Sequence, residues 1–375
     1  MFSNWFLKSF RILLLPFALI FWFIIWLRNW LYDKEYFKSV SFGMPLICVG
    51  NLSVGGTGKS PMVEYLVMRL KNQYKVATLS RGYKRKTKGY ALATSESTAI
   101  DIGDEPMQFY RKFPGVPIAV GEERMDAIPQ LLHDKPETEV IILDDAFQHR
   151  TIKAGLNILL SECNNLYTRD FFLPTGDLRD LRSSYKRAGI IVVTKCDPHL
   201  TVDQKNAIIK EIDPLPHQHV FFTSIIYATP HHIIKHTLHQ LDEQAEVLLI
   251  TGIANPRPLK DYLEEHIETY HMIHYGDHHI FSIDDWNDIK NRFENIENKN
   301  KILVTTEKDA MRLLKFEHEL ASLPFYVLPI EHQFLFGEGT MFDNIVANFI
   351  DNFKQPEEHG KKKHEKNKEE RAEKR

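Results

Sequence analysis

The sequence from residue 44 to residue 60 reads MPLICVGNLSVGGTGKS, and this stretch decides the fold of the chain. Residues 44–50 form a short apolar run typical of a buried parallel strand. A glycine-rich loop follows it. Pro61 then falls in the first turn of a helix that we expect to reach about Leu70, where its missing N–H costs no hydrogen bond. The order of strand, glycine loop and helix predicts an α/β domain with a phosphate-binding loop of the Walker A type.

The glycine loop carries the chemistry that a nucleoside triphosphate requires. Its glycines let backbone N–H groups wrap phosphate oxygens, and the following helix N-terminus adds partial positive charge. Lys59 can reach the β- and γ-phosphates, and the hydroxyl of Ser60 can hold Mg²⁺. Ser53 stands where the full consensus has glycine, so the match is GGTGKS. The predicted ATP-binding residues are Gly55, Gly56, Thr57, Gly58, Lys59 and Ser60.

A second apolar run, residues 140–143, ends in the paired acids Asp144 and Asp145. Enzymes with a phosphate-binding loop place a metal-holding carboxylate at the end of such a strand. Ligands also bind at the carboxyl edge of open parallel sheets, where these acids should lie. The alternative role, an N-cap for the next helix, becomes weak beside the glycine loop. We therefore predict that Ser60, Asp144 and Asp145 form the metal site.

Three further polar segments supply candidates for phosphate and hydroxyl chemistry. The segment GDEP at 103–106 precedes a helix expected from about Glu105, so Asp104 either caps that helix or orients and deprotonates an attacking hydroxyl. Arg81 follows the apolar run 75–79, and Arg179 lies in the loop LPTGDLRD at 173–180. Either arginine could contact phosphate or lie in a solvated loop.

Composition limits the remaining classes. The chain has 375 residues, which suggests two to three domains, and its 47 basic and 50 acidic residues give a charge of −3. That balance argues against a general nucleic-acid binder. The three cysteines (Cys48, Cys163 and Cys196) form no C-x-x-C pair, so a reducing compartment fits best.

The N-terminus differs from the rest of the chain. Residues 12–27 carry no charge and read ILLLPFALIFWFIIWL. Sixteen helical residues span about 24 Å, short of the roughly 30 Å hydrocarbon core, but a helix over 5–30 would close the gap. The sequence offers no small-residue cleavage site after this run, so we predict an uncleaved anchor in contact with membrane lipids. Pro16 leaves open whether it spans the bilayer or lies in one leaflet.

The second half of the chain gives weaker signals. His231, His232, His236 and His239 fall at helical spacing, which favours a polar helix face over a zinc site. Lys308 and Asp309 either line a nucleotide pocket or form a pair at a helix N-terminus. Residues 355–375 lack apolar periodicity, and we expect them to be disordered. The segment TKCD at 194–197 follows a strand, as the guanine-recognition motif of GTPases does, so a GTPase or metallochaperone is the alternative function.

Seven segments in one order point to a family. They are VGNLSVGGTGKSP (49–61), RGY (81–83), GDEP (103–106), DDAFQHR (144–150), LPTGDLRD (173–180), YGDHH (275–279) and TTEKD (305–309). Together they resemble the tetraacyldisaccharide 4′-kinase family of lipid A biosynthesis, over roughly residues 10–350. The family has GPLRE where this chain has GDLRD at 176–180, which keeps Arg179 as a candidate and weakens Asp180.

The resemblance implies an enzyme that transfers the ATP γ-phosphate to the 4′-hydroxyl of a tetraacylated glucosamine disaccharide 1-phosphate. It implies Mg²⁺ as cofactor and the cytoplasmic face of the bacterial inner membrane as location. The family's functional residues match Lys59 and Ser60 in the loop, Asp144 and Asp145 at the metal, and the catalytic Asp104. Its assisting histidine matches His278, with the adjacent His279 as the alternative.

The expected architecture is therefore an α/β enzyme with two domains between an anchor and a tail. We assign residues 1–38 to the membrane helix, 39–228 to a parallel-sheet kinase domain with the phosphate-binding loop, 229–354 to a smaller α/β domain that closes over the cleft, and 355–375 to the tail. We expect a monomer that binds a lipid A disaccharide precursor and no nucleic acid.

Overall fold

The computed structural model describes residues 11–354. Its strands are β1 (Leu46–Asn51), β2 (Val76–Ser80), β3 (Ala91–Leu92), β4 (Ile118–Val120), β5 (Val140–Asp144), β6 (Leu156–Glu162), β7 (Ile190–Thr194), β8 (His219–Tyr227), β9 (His231–His232), β10 (Glu246–Thr251), β11 (Thr269–His274), β12 (Lys301–Thr306), β13 (Phe325–Leu328) and β14 (Ile330–Phe334). Its α-helices are Leu15–Asp33, Lys59–Leu70, Ala99–Ile102, Asp104–Lys112, Arg124–Asp134, Val202–Ile212, Arg257–His266, Ile283–Glu294, Glu307–Leu313, Glu317–Leu320 and Gly339–Lys354.

The first sheet has nine strands in the order β14-β8-β7-β6-β1-β5-β2-β4-β3. Seven neighbouring strands, from β8 to β4, are parallel, and only β14 and β3 at the two edges are antiparallel. The apolar runs that predicted strands lie in its centre, where every residue of β1 and β5 is buried. The glycine loop and the paired acids leave adjacent strands at the same edge, because β1 and β5 pair in parallel.

The second sheet has five strands in the order β11-β10-β12-β13-β9, parallel except for β9. The expected α/β architecture with two sheets is confirmed. We expected the second domain to extend to residue 354, but it ends with β13. The strand β14 and the helix Gly339–Lys354 return to the first domain. Phe342, Val346 and Ile350 of that helix are buried in the core of the first domain.

The histidine-rich segment is not helical, so the expectation of a polar helix face is wrong. His231 and His232 form β9, which pairs antiparallel with Val327 and Tyr326 of β13. An open sheet edge supplies hydrogen-bonding groups along the whole strand, and this tertiary pairing overrides the local spacing. Within residues 11–354, no cluster of three or more His, Cys, Asp or Glu side chains could hold a metal.

The apolar N-terminal run forms a short 3-10 turn, Ile12–Leu14, followed by the helix Leu15–Asp33. Pro16 lies in the first turn of that helix and does not break it. Phe17, Phe23 and Ile24 are more than half exposed. By length and composition this is the one helix in the described part of the chain that could cross a membrane. The extension predicted over residues 5–10 and the tail 355–375 lie outside the described residues.

The two domains meet where the helix Asp104–Lys112 packs against the helix Glu307–Leu313. The ammonium of Lys112 donates to Glu64 of the first domain at 2.7 Å and to Glu307 of the second domain at 2.7 Å. Both carboxyl side chains are almost fully buried. One cation between two carboxyl groups is electrically neutral only when one of them keeps its proton. Burial, followed by the charge of Glu307, accordingly raises the pKa of Glu64 to about 8.

This junction predicts a pH dependence of stability. Because the pKa of Glu64 rises from 4.5 in the unfolded chain to about 8, the folded protein holds more protons between those values. Stability is therefore greatest below the unfolded pKa and falls as pH rises towards about 8, by at most ~1.4 kcal/mol per pH unit for one proton. Melting curves of the Glu64→Gln variant should show a shallower decline across that range than wild type. The exposed Glu265→Gln variant is the control. Equal slopes for wild type and Glu64→Gln would contradict the assignment.

Candidate active site

The glycine loop connects β1 to the helix that begins at Lys59. Gly55 and Gly58 have φ angles of +111° and +85°, a region that L side chains rarely adopt. A Cβ atom on Gly58 would also lie 3.0 Å from the ring of His332, so glycine is required there for two reasons. Ser53, the departure from the consensus, pairs with Leu178 in an isolated bridge. The next residue, Val54, donates its N–H to the carbonyl of Asp177 at 2.7 Å. The loop is thus braced by the segment that carries Arg179.

Two cations face Asp145 beside the glycine loop. The Lys59 ammonium lies 3.8 Å from an Asp145 carboxylate oxygen, and Arg179 forms two hydrogen bonds with the same carboxylate. Burial works to raise the pKa of Asp145, but Lys59 and Arg179 outweigh it and hold the pKa below its usual value. Burial lowers the pKa of Lys59, and Asp145 opposes that shift. Both cations also contact Asn51, with Lys59 at 3.4 Å and Arg179 at 2.5 Å.

Asp144 is the buried member of the acid pair. Its Oδ1 atom has no hydrogen-bond partner among the described residues. Burial, and then the neighbouring Asp145, raises the pKa of Asp144 to about 7. An unpartnered buried carboxylate oxygen beside the Ser60 helix N-terminus suits a hard divalent cation. Mg²⁺ fits this donor set, because it takes one or two carboxylates and completes its shell with water and phosphate oxygens.

Asp104 is the first residue of its helix, one position earlier than expected, and Gly103 occupies the N-cap position. The carboxylate of Asp104 does not cap that helix but faces the second domain. His278 Nδ1 lies 3.2 Å from Asp104 Oδ2. His279, the alternative, instead contacts Asp285 at 2.9 Å. Of the two histidines, the fold brings His278 to Asp104.

His278 is held in an uncommon conformation. Its φ angle is +61°, in the left-handed region that non-glycine residues adopt mainly at turns and functional sites. The N–H of His278 donates to the carbonyl of Gly252 at 3.1 Å, which ties its loop to the end of β10. Its ring centre lies 5.7 Å from that of Tyr83, in the RGY segment of the first domain. The residue is therefore placed by contacts from both domains.

Of the remaining sequence candidates, Lys308, Asp309 and Asp180 have partners within the protein. Lys308 forms an ion pair with Glu105 at 2.7 Å, a contact between the domains. Asp309 is fully buried and accepts from the N–H of Gly252 at 3.0 Å, so it supports the loop of the second domain. Arg81 is exposed at the end of β2. Asp180, a weak candidate because the family has Glu at this position, is buried and accepts hydrogen bonds from Asn29 and Arg187.

The side chains of the TKCD segment have partners within the protein. Thr194 donates its hydroxyl to the carbonyl of Thr57 in the glycine loop at 2.9 Å. Lys195 pairs with Glu162 at 3.4 Å, and Asp197 accepts from the N–H of His199 at 2.8 Å within its own turn. These side chains brace the phosphate-binding loop and a local turn.

Two residues near the site were missed in the sequence. His332 on β14 has its Nε2 atom 2.9 Å from the Gly58 carbonyl and its Nδ1 atom 2.9 Å from the Thr223 hydroxyl, and burial lowers its pKa to about 4. Arg312 lies three residues after Asp309 and contacts Asp104. The sequence signal for Arg312 is its position three residues after Asp309, which places both on one face of a helix. No local pattern marks His332, because it reaches the loop only through the pairing of β14 with β8.

Comparison with known proteins agrees with this geometry. Residues 10–350 match the family model described as tetraacyldisaccharide-1-P 4′-kinase. A tetraacyldisaccharide 4′-kinase of Bacteroides thetaiotaomicron is 42% identical over 90% of this chain and 92% of its own length. A tetraacyldisaccharide 4′-kinase of Flavobacterium johnsoniae is 44% identical over 91% of this chain and 97% of its own length. The crystal structure of LpxK from Aquifex aeolicus in complex with ATP superposes with a TM-score of 0.73 at 27% identity, covering 91% of this chain and 99% of that one.

The family model spans nearly the whole described chain. Both relatives are more than 40% identical to this chain over at least 90% of its length. The protein belongs to the tetraacyldisaccharide 4′-kinase family.

Proposed function

We propose that this protein transfers the γ-phosphate of ATP to the 4′-hydroxyl of tetraacyldisaccharide 1-phosphate, giving lipid IV A and ADP. The observation that carries the proposal is the meeting of Asp104 and His278 from two domains, near the cluster formed by the glycine loop and the paired acids. Glu105, the neighbour of Asp104, contributes to the raised pKa of Asp144 behind burial and Asp145, so the two clusters are close in space. The relatives named for this activity support the substrate.

The chemistry follows from the positions of these groups. The 4′-hydroxyl oxygen attacks the γ-phosphorus while the bond from that phosphorus to the β-bridging oxygen breaks, and ADP leaves. The hydroxyl proton passes to the Asp104 carboxylate, which His278 helps to position. Lys59 and the N–H groups of the glycine loop stabilise the charge on the phosphate oxygens. Mg²⁺, which Ser60, Asp144 and Asp145 would hold, supplies further charge neutralisation when it is bound.

The helix Leu15–Asp33 supports a membrane location, and its contacts favour an orientation along the bilayer surface. Arg11, just before it, contacts Asp177 of the first domain at 3.0 Å. Near the other end, Asn29 donates to Asp180 at 2.8 Å. At about 1.5 Å per residue these contacts are about 27 Å apart along the helix. A helix held to the catalytic domain at both ends cannot cross a bilayer while that domain stays in water.

An interfacial helix suits a substrate whose acyl chains stay in the membrane. The sugar head group then meets the cleft at the interface, and ATP reaches it from the cytosol. We therefore propose the cytoplasmic face of the bacterial inner membrane as the location, with inner-leaflet lipids as partners, no nucleic acid, and a monomer as the working form.

Kinase turnover is the direct test of the function. Purified protein with Mg²⁺, radiolabelled ATP and the lipid acceptor should produce the labelled bisphosphate. Lys59→Ala removes the cation at the phosphates and Asp104→Ala removes the proton acceptor, so each should lower kcat at least about 10²-fold. The exposed Asp126→Ala variant should keep the wild-type rate. Hydrolysis of GTP without any lipid product would instead favour the GTPase alternative.

The metal site predicts a specific change in Mg²⁺ dependence. Asp144→Asn keeps the size of the side chain but removes its charge, so the Mg²⁺ concentration for half-maximal activity should rise at least about tenfold. The measurement is a titration of activity at saturating ATP and lipid. An unchanged Mg²⁺ requirement would remove Asp144 from the metal site.

The orientation of the helix can be tested by labelling with a membrane-impermeant maleimide. Single cysteines replace Leu13 and Phe37, exposed residues near its two ends. An interfacial helix leaves both positions on the cytoplasmic side, so neither should react in intact spheroplasts and both should react after lysis. Wild-type protein, with Cys48 and Cys196 buried and Cys163 half-buried, is the control. Labelling of Leu13→Cys alone in intact spheroplasts would show a spanning helix.

A further inference from the structure

We infer that Arg312 is a positioning residue for phosphoryl transfer, which holds Asp104 beside His278 where the two domains meet. The inference rests on the proposed function and adds a member to its site. None of the seven sequence motifs includes this arginine. Its guanidinium touches the two residues that we expect to handle the hydroxyl proton.

The contacts with Asp104 are short and fall on one oxygen. Arg312 Nε lies 2.9 Å and Nη2 lies 2.6 Å from Asp104 Oδ2. His278 Nδ1 approaches the same Oδ2 atom at 3.2 Å. The contacts described for this carboxylate side chain thus converge on Oδ2. Oδ1 is therefore the oxygen that can receive the hydroxyl proton.

The guanidinium is itself fixed by the second domain. Arg312 Nη1 donates to Asp309 Oδ1 at 3.1 Å and to the Gly252 carbonyl at 3.4 Å. Gly252 also accepts from the N–H of His278 and donates its own N–H to Asp309. The Arg312 side chain is 6% exposed, so water competes little for these bonds. The hydrogen bonds of Gly252 and Asp309 therefore position both Arg312 and the loop that carries His278.

Arg312 also contacts His278. Its Nη2 atom lies 3.1 Å from His278 Nδ1. The same Nη2 atom donates to Asp104 Oδ2 at 2.6 Å, so one guanidinium nitrogen contacts both the imidazole and the carboxylate. The arginine thereby limits the movement of these two groups relative to each other.

A salt bridge with a purely structural role would join the domains without positioning Asp104 and His278. Lys308 and Glu105 form such a pair one turn away, and that pair contacts neither Asp104 nor His278. Arg312 differs because a single side chain contacts the carboxylate, the imidazole and the loop that carries the imidazole. Loss of its guanidinium should therefore affect the chemical step more than the binding of ATP.

The test compares Arg312→Ala and Arg312→Lys with wild type in the lipid kinase assay. Misplacement of Asp104 should lower kcat of Arg312→Ala about 10²-fold, while KM for ATP stays within about twofold. Arg312→Lys should recover part of the loss, because it keeps the charge but not the two-pronged contact. Millimolar guanidinium chloride should restore activity to Arg312→Ala by several-fold and leave Asp104→Ala inactive.

The control is Arg292→Ala, an exposed arginine of the same domain paired with Asp288, which should keep wild-type kinetics. A kcat of Arg312→Ala within about threefold of wild type would overturn the inference. So would a loss of activity that neither lysine nor guanidinium recovers, since that result indicates a structural role only. Wild-type turnover of the lipid is measured in the same assay. If wild type itself forms no lipid product, the proposed function fails, and that failure is distinct from a null effect of Arg312→Ala.

Discussion

The hydrogen-bonded contact between Asp104 and the second domain is the constraint on which the site depends. Asp104 starts a helix of the first domain, while His278 and Arg312 come from the second. The role that we propose for Asp104, acceptance of the proton from the sugar hydroxyl, needs a fixed direction, because phosphoryl transfer relies on positioning more than on covalent chemistry. Two sheets joined by this contact provide that direction, and neither sheet could provide it alone.

In the phosphate-binding part of the site, positive and negative side chains balance one another. Lys59 and Arg179 both face Asp145, so two cations suited to phosphate are held in place by one carboxylate. Asp144 lies deeper, with a raised pKa and an unpartnered oxygen, and it has the properties of a metal ligand. Adjacent acids in one strand–loop segment thus have opposite pKa shifts because they face different neighbours.

The lipid substrate explains the features that a soluble kinase would not need. The helix Leu15–Asp33 presents exposed Phe and Ile side chains and remains attached to the first domain through Arg11 and Asn29. The segment 173–180 links it to the site, since Asp177 contacts Arg11 and the glycine loop, and Arg179 contacts Asp145. The exposed apolar helix and the phosphate-binding loop are therefore joined through one short loop.

The local parts of this protein can be read from its amino-acid sequence. The β1 run, the glycine loop and its helix, and the acids after β5 follow from neighbouring residues, because backbone conformation and strand burial are local properties. The long-range contacts follow from the tertiary structure. It selected His278 over His279, returned β14 and the last helix to the first sheet, and replaced a helix by β9. It also brought Arg312 to Asp104, 208 residues away in the chain. Such contacts depend on how two sheets pack against each other, and no spacing within one segment records that.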